Sequence, residues 1–278
     1  MNLSFEFFPP KTPEGAEKLR GVHSALKELN PEFFSCTFGA GGTTQDGTLN
    51  TVLELQNAGS EAAPHLSCVG ASRSRLAELL HTYKANGIRR IVALRGDLPS
   101  GTLEMGDFKY ASELVEFIRQ ETGDHFFIEV AAYPESHPQS KSPQADVDAF
   151  VHKVKCGANS AITQYFFNTE SYLYFRDQVS KQVNIPISPG IMPITNYSQL
   201  ARFSDACGAE IPRWIRLRLQ AYGDDVALIK AFGLEVVTDL CDQLRCAGSP
   251  GLHFYSMNQS VATLAICEQL NLLPAKLA

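Results

Sequence analysis

Ser4-Phe-Glu-Phe-Phe-Pro-Pro10 and Ala93-Leu-Arg-Gly-Asp-Leu-Pro-Ser-Gly101 are short β-like segments, and each presents one carboxylate where its apolar run ends, Glu6 in the first and Asp97 in the second. A carboxylate at the end of a buried strand loses hydration free energy unless it is paired or put to use. Working outward, runs of the same kind recur at 3–8, 33–38, 64–69, 90–95, 126–132, 160–167, 186–192 and 251–257. Between them lie apolar residues at helical spacing. Val22, Ala25, Leu26 and Leu29 form one such set, and Leu76, Leu79, Leu80 and Tyr83 another. Ala111, Leu114, Val115 and Ile118 form a third, and Val147, Phe150, Val151 and Val154 a fourth.

Strands that alternate with helices pair in parallel, and eight repeats are enough to close the sheet. The expected fold is α/β, an eight-stranded (β/α)8 TIM-type barrel forming a single domain over residues 1–278. An extra helix around 226–246 precedes the last strand. An open doubly wound sheet is the alternative. Its dinucleotide-binding form lacks support, because Phe38-Gly-Ala-Gly-Gly42 follows a strand without the G-x-G-x-x-G spacing.

With 44% apolar residues the chain can bury a large core, and its formal net charge of −6 is spread without basic clusters. Nucleic acid and anionic membranes are therefore not expected as partners. The N-terminus shows no secretion signal and no apolar run approaches ~18 residues, so a cytoplasmic protein is expected. The seven cysteines form no C-x-x-C pair and read as reduced thiols. No histidine or carboxylate spacing makes a metal site.

In a barrel of this type the working residues gather at the C-terminal ends of the strands. Strand counting places Glu6, Thr37, His65, Asp97, Tyr133, Gln164 and Tyr255 around one rim. Alternation puts Glu6 on the face of Ser4 and Phe8, opposite Phe5 and Phe7. An apolar setting would raise its pKa and suit it to donate a proton; an ion pair across the barrel is an equal reading. Asp97 can stabilise a cation, cap a turn or pair with Arg95, while Gly96 lets a ligand approach the backbone. Tyr133, His137 and Asp146 belong to a proline-stiffened loop and the helix after it, where a ribose or diphosphate could bind; His152 and Lys153 add basic character. Each is also an ordinary solvated residue when taken singly, and His65 is equally a core histidine. Gln199 and Phe203, spaced i, i+4, share a helix face that could receive a flat aromatic ligand.

Taken in order, several segments resemble the methylenetetrahydrofolate reductase family. They are Ser4-Phe-Glu-Phe-Phe-Pro-Pro-Lys-Thr12, Thr37-Phe-Gly-Ala40, Ala63-Pro-His-Leu66, Ala93-Leu-Arg-Gly-Asp-Leu-Pro99, Ala131-Ala-Tyr-Pro-Glu135, Ala161-Ile-Thr-Gln-Tyr-Phe-Phe167, Pro189-Gly-Ile-Met-Pro193 and His253-Phe-Tyr-Ser-Met-Asn258. The resemblance implies an FAD-binding barrel that reduces 5,10-methylenetetrahydrofolate with NAD(P)H in a ping-pong cycle, supplying methyl groups for methionine synthesis. It implies a homo-oligomer, a dimer or tetramer. It places Thr37, Phe38, Ala40, His65, Arg95, Gly96, Asp97, Ala111, Tyr133, His137, Asp146, His152 and Lys153 at the flavin. Thr37, Asp97, Gln164, Gln199, Phe203, Tyr255 and Gln259 fall to the substrates. Glu6 becomes the general acid, and Asp97 the group that stabilises an iminium cation. Gln259 stands where some relatives carry a basic residue for folate. Ala149 and His152 stand where relatives often have Asn and Arg. The long C-terminal regulatory region of eukaryotic relatives is not expected. Two other readings are a non-catalytic flavin- or folate-binding subunit, which loss of Glu6 or Asp97 would favour though neither is lost, and a different flavin barrel such as a proline dehydrogenase, in which the Glu6 motif has no task.

Overall fold

The computed structural model describes residues 1–38, 45–96 and 106–273. Its strands are β1 (Asn2–Phe7), β2 (Phe33–Cys36), β3 (Ala62–Ser67), β4 (Arg90–Leu94), β5 (Phe127–Ala132), β6 (Ser160–Tyr165), β7 (Ile187–Ile191) and β8 (Gly251–Tyr255). They close in chain order into a barrel, every neighbouring pair parallel, β8 to β1 included. The fold is the expected (β/α)8 barrel.

The helices are α1 (Pro13–Lys27), α2 (Gln45–Asn57), α3 (Arg73–Ala85), α4 (Ala111–Thr122), α5 (Pro143–Lys155), α6 (Thr169–Val179), α7 (Tyr197–Cys207), α8 (Arg213–Ala221), α9 (Val226–Cys246) and α10 (Val261–Gln269). The starts follow local chemistry. Thr12, Ser72, Ser142 and Asn196 each accept a backbone N–H of the first turn of α1, α3, α5 and α7. Pro13 and Pro143 open their helices, where a missing N–H costs nothing. The expected extra helix is α9. A further helix, α8, lies ahead of it; only Ile215 and Leu219 of its residues are buried, amid three arginines, a weak periodic signal.

Alternation along the strands divides the core. Phe5, Phe7, Ile91, Ala93, Ile128 and Val130 face the helices and join the large outer core. The barrel interior holds a smaller apolar cluster of Phe33, Ala63, Val92 and Ile162. Beside that cluster, Arg90 bonds both Glu129 and Glu32 at 2.5 Å. Its guanidinium also lies over the rings of Phe33 and Phe127, at 4.4 and 4.2 Å. Arg90 opens β4 and Glu129 lies near the start of β5, so this ion pair belongs to the N-terminal side of the barrel, where side chains serve stability.

Candidate active site

Glu6 projects into the barrel, as alternation requires, but its setting is not apolar. Its Oε2 lies 3.5 Å from His65 Nε2 and 3.9 Å from His253 Nε2, with the carboxylate side chain 20% exposed. Among the described residues neither imidazole nitrogen has a hydrogen-bond partner, and both are buried. His253 is held from its other nitrogen, Nδ1 sharing a 2.7 Å hydrogen bond with Ser4 Oγ. Ser4 and His253 are register partners on β1 and β8, which puts their side chains on one face.

His65 lies within β3 rather than at its end and is buried. Burial pushes its pKa below the ordinary imidazole value; Glu6 pulls the other way, and His253 adds to the depression. His65 is thus neutral at neutral pH, and no lysine or arginine among the described residues forms a salt bridge with Glu6. A carboxyl group faced by imidazoles instead of a fixed cation can exchange a proton without breaking an ion pair.

Tyr255 lies next to this centre, its ring 5.4 Å from that of His253. Its hydroxyl donates to Thr163 O at 2.7 Å, and burial, then the Glu6 charge, push its pKa well above the ordinary phenol value. Gly190 makes room for this arrangement: a Cβ there would sit 2.2 Å from Thr163 O and 2.7 Å from the Tyr255 ring. Gln164, on β6, turns its Oε1 to accept from Tyr165 N. Gln199 and Phe203 are half-buried on α7, and Phe203 packs against the outer core. Gln259 is exposed and borders a separate groove of about 260 Å³ that also includes Lys230 and Val261.

A cleft of about 660 Å³ opens on the side where β4 and β5 end. That size falls within the ~300–1,000 Å³ typical of ligand pockets. Arg95, Gly96, Ala111, Tyr133, His137, Asp146, His152 and Lys153 all line it, so eight of the residues expected at a cofactor meet there. Gly96 has φ +83°, and a Cβ on it would meet Ser67 Oγ at 1.7 Å. Tyr133 and His137 pack edge to face, with ring centroids 4.6 Å apart, and Asp146 accepts the His137 backbone N–H at 2.9 Å. The N-terminus of α4 borders the cleft through Ala111 and Ser112, whose first-turn N–H groups and helix dipole favour an anion. Lys153, half-buried, donates to Ala131 O; burial pushes its pKa down to about 8, with Asp146 opposing.

Thr37 and Phe38 lie at the end of β2 and, like His65, which is 3.5 Å from Glu6, are not among the residues lining this cleft. Ala40 and Asp97 fall outside the described residues. Ser4, His253, Thr163 and Gly190 were not singled out from sequence. Alternation from Tyr255 back to His253 was the available signal for that histidine; the Gly190 contact depends on a neighbouring strand and left none.

Together these features define a (β/α)8 barrel with a carboxyl group facing two histidines in its interior and a cleft of about 660 Å³ where β4 and β5 end. The chain belongs to the methylenetetrahydrofolate reductase family, whose model matches residues 1–271. It is 43% identical to the 5,10-methylenetetrahydrofolate reductase of Escherichia coli (strain K12), over 99% of this chain and 92% of that one. Identity to the 5,10-methylenetetrahydrofolate reductase of Pectobacterium carotovorum is 42%, with 99% and 91% covered. The Arabidopsis thaliana methylenetetrahydrofolate reductase (NADH) 1 is 36% identical over 98% of this chain, which spans 48% of that relative. Among solved structures, a Clostridium thermocellum protein described as binding two copies of 5-methyl-5,6,7,8-tetrahydrofolic acid shares the fold, with a TM-score of 0.67, 15% identity, and 96% and 92% of the two chains covered.

Proposed function

We propose that this protein is an FAD-dependent reductase converting 5,10-methylenetetrahydrofolate to 5-methyltetrahydrofolate with NAD(P)H. Membership of the family supports the reduction of methylenetetrahydrofolate. The observation that carries the chemistry is Glu6, set in the barrel mouth between His65 and His253 and joined to no fixed cation among the described residues.

The cleft suits FAD. Arg95 and Lys153 offer positive charge to a diphosphate, His152 offers a polar ring, and Ala111 offers a helix N-terminus. Tyr133, His137 and Asp146 complete the wall. When bound, FAD supplies the two-electron chemistry, taking hydride from a reduced nicotinamide and returning it to the folate.

The protein's part is position, proton and field. Glu6 donates a proton to a nitrogen of the five-membered ring that bridges the one-carbon unit, and the ring opens to an electrophilic iminium ion. The imidazoles of His65 and His253 then face the carboxylate left behind, without a lysine or arginine among the described residues to trap it. Tyr255, Gln164, Gln199 and Phe203 offer the surfaces against which nicotinamide and folate lie in turn, the basis of a ping-pong cycle. The assignment of Asp97 to the iminium charge rests on the family resemblance and on its place directly after Gly96. The same resemblance supports a cytoplasmic homo-oligomer, a dimer or tetramer, serving methionine synthesis.

Titration of the flavin-free protein with FAD, followed by turnover with NADH and then NADPH, tests the reading. We expect FAD to bind stoichiometrically and 5-methyltetrahydrofolate to form with one donor or both. Absence of flavin binding, or bound flavin that neither nicotinamide reduces, would overturn the cofactor or the donor respectively.

A further inference from the structure

The ladder between β1 and β8 has its last register pair at Glu6 and Tyr255. Beyond it the chain leaves strand geometry: Met257 has φ +53° and Asn258 φ +52°. Asparagine tolerates this left-handed conformation, whereas methionine resists it, so the turn must be held in place by its surroundings. Side chains take over there from the backbone ladder. Ser256 Oγ donates to Glu6 O at 2.6 Å. The Asn258 carboxamide bonds both backbone groups of Phe8, accepting from its N–H at 3.0 Å and donating to its C=O at 2.9 Å. The same turn is tied internally, Asn258 N donating to Ser256 Oγ at 3.2 Å.

These contacts hold the peptide groups on both sides of Phe7 and end on the carbonyl of Glu6 itself. Phe8 is 42% exposed, so the device is not the by-product of a buried side chain. We propose that Ser256 and Asn258 form a latch that positions Glu6 for proton donation, with Asn258 as its main positioning residue; this rests on the reading of Glu6 as the folate acid.

The test compares Asn258→Asp and Asn258→Gly with Glu6→Gln in the FAD-loaded protein, measuring the two half-reactions separately, and adds hydrogen exchange at the Phe8 amide in the flavin-free protein. Asn258→Asp keeps the acceptor for Phe8 N–H but sets a carboxylate oxygen against Phe8 O. Asn258→Gly removes both bonds and suits the left-handed backbone, so it preserves the turn if the aspartate variant folds poorly. We expect the folate half-reaction to slow about 10- to 100-fold, the cost of misplacing a reacting group by an ångström or less. Its pH profile should move, flavin reduction by NAD(P)H should stay within about 2-fold, and Phe8 should exchange about 10-fold faster. Equal slowing of both half-reactions, or an unchanged folate half-reaction beside an inactive Glu6→Gln variant, would overturn the latch. A Glu6→Gln variant that still reduces folate would overturn the acid assignment and the latch with it.

Discussion

Glu6 and Glu129 are carboxylates in the interior of one barrel, and they live under opposite conditions. Glu129 is 2% exposed and clamped by Arg90 at 2.5 Å, with Arg90 further held by Glu32. Burial pushes its carboxyl pKa up, and the Arg90 charge pulls it back. Glu6, at the other end, is 20% exposed, faces two imidazoles at 3.5 and 3.9 Å, and pairs with no lysine or arginine among the described residues. A fixed cation makes a carboxylate part of the scaffold, whereas a neutral, titratable neighbour leaves it able to gain and lose a proton. The clamped charge lies where β4 and β5 begin, and the carboxylate proposed as the acid lies where β1 ends, the side on which this fold carries its chemistry.

Four changes test this contrast. The largest effect should come from Glu6→Gln, which removes the transferable proton but keeps the shape. Flavin reduction by NAD(P)H should persist while the folate half-reaction falls by about 10³-fold or more, within the range lost with a general acid. Stopped-flow absorbance separates the two, and slow flavin reduction in this variant would remove Glu6 from its assigned role. Thermal unfolding should hardly change.

Arg90→Met should do the reverse. It strands Glu129 without its cation, which costs about 3–5 kcal/mol. For a chain of this size that lowers Tm by roughly 10 °C, read by calorimetry, while the folded fraction keeps its folate half-reaction. Adding Glu129→Gln should recover part of the loss, since the uncompensated charge is gone. A stable Arg90→Met protein with slowed chemistry would erase the division between the two ends.

The third effect is on stability against pH. Burial lowers the pKa of both His65 and His23 in the folded protein, so the unfolded chain binds protons that the folded one does not. Stability is complete above the unfolded imidazole value of about 6.5 and declines as pH falls through it, by at most ~1.4 kcal/mol per pH unit for His65. Urea unfolding at pH 7.5 and 5.5 measures the slope, and His65→Gln should flatten it. A slope unchanged by that substitution would mean that His65 is not held neutral beside Glu6.

The smallest effect concerns the cleft. Lys153, with its pKa pushed down to about 8, loses charge as pH rises through that value, so FAD affinity should weaken several-fold between pH 7 and 9. Lys153→Met should bind FAD more weakly at pH 7 and lose most of this dependence, as fluorescence titration would report.

Much of the contrast was legible in the sequence. All eight strands lie where their apolar runs stand, because a barrel strand is buried on both faces and reads as a near-continuous hydrophobic stretch. Period-two alternation put Glu6 inside and Phe5 and Phe7 outside, and α9 was legible from its helical spacing. The surroundings of Glu6 were not legible. His65 comes from β3 and His253 from β8, and only closure of the sheet sets both beside β1. Of the two settings open from sequence, an apolar pocket or an ion pair across the barrel, neither named the pair of imidazoles found there. The cleft was partly readable, since Arg95 and Gly96 share one motif and Tyr133 and His137 another, but no motif implies that α4 aims its N-terminus into the same space. Helix α8 escaped notice because its exposed arginines, Trp214 and Leu217 blur the periodicity left by Ile215 and Leu219.

The central claim is that Glu6 serves the folate and not the nicotinamide. It is tested most directly by reducing the FAD-loaded protein anaerobically, adding 5,10-methylenetetrahydrofolate, and following the visible flavin absorbance in wild type and Glu6→Gln. The account predicts rapid reoxidation with formation of 5-methyltetrahydrofolate in the wild type, and flavin that stays reduced in the variant. Reoxidation at the same rate in both, or in neither, would contradict it.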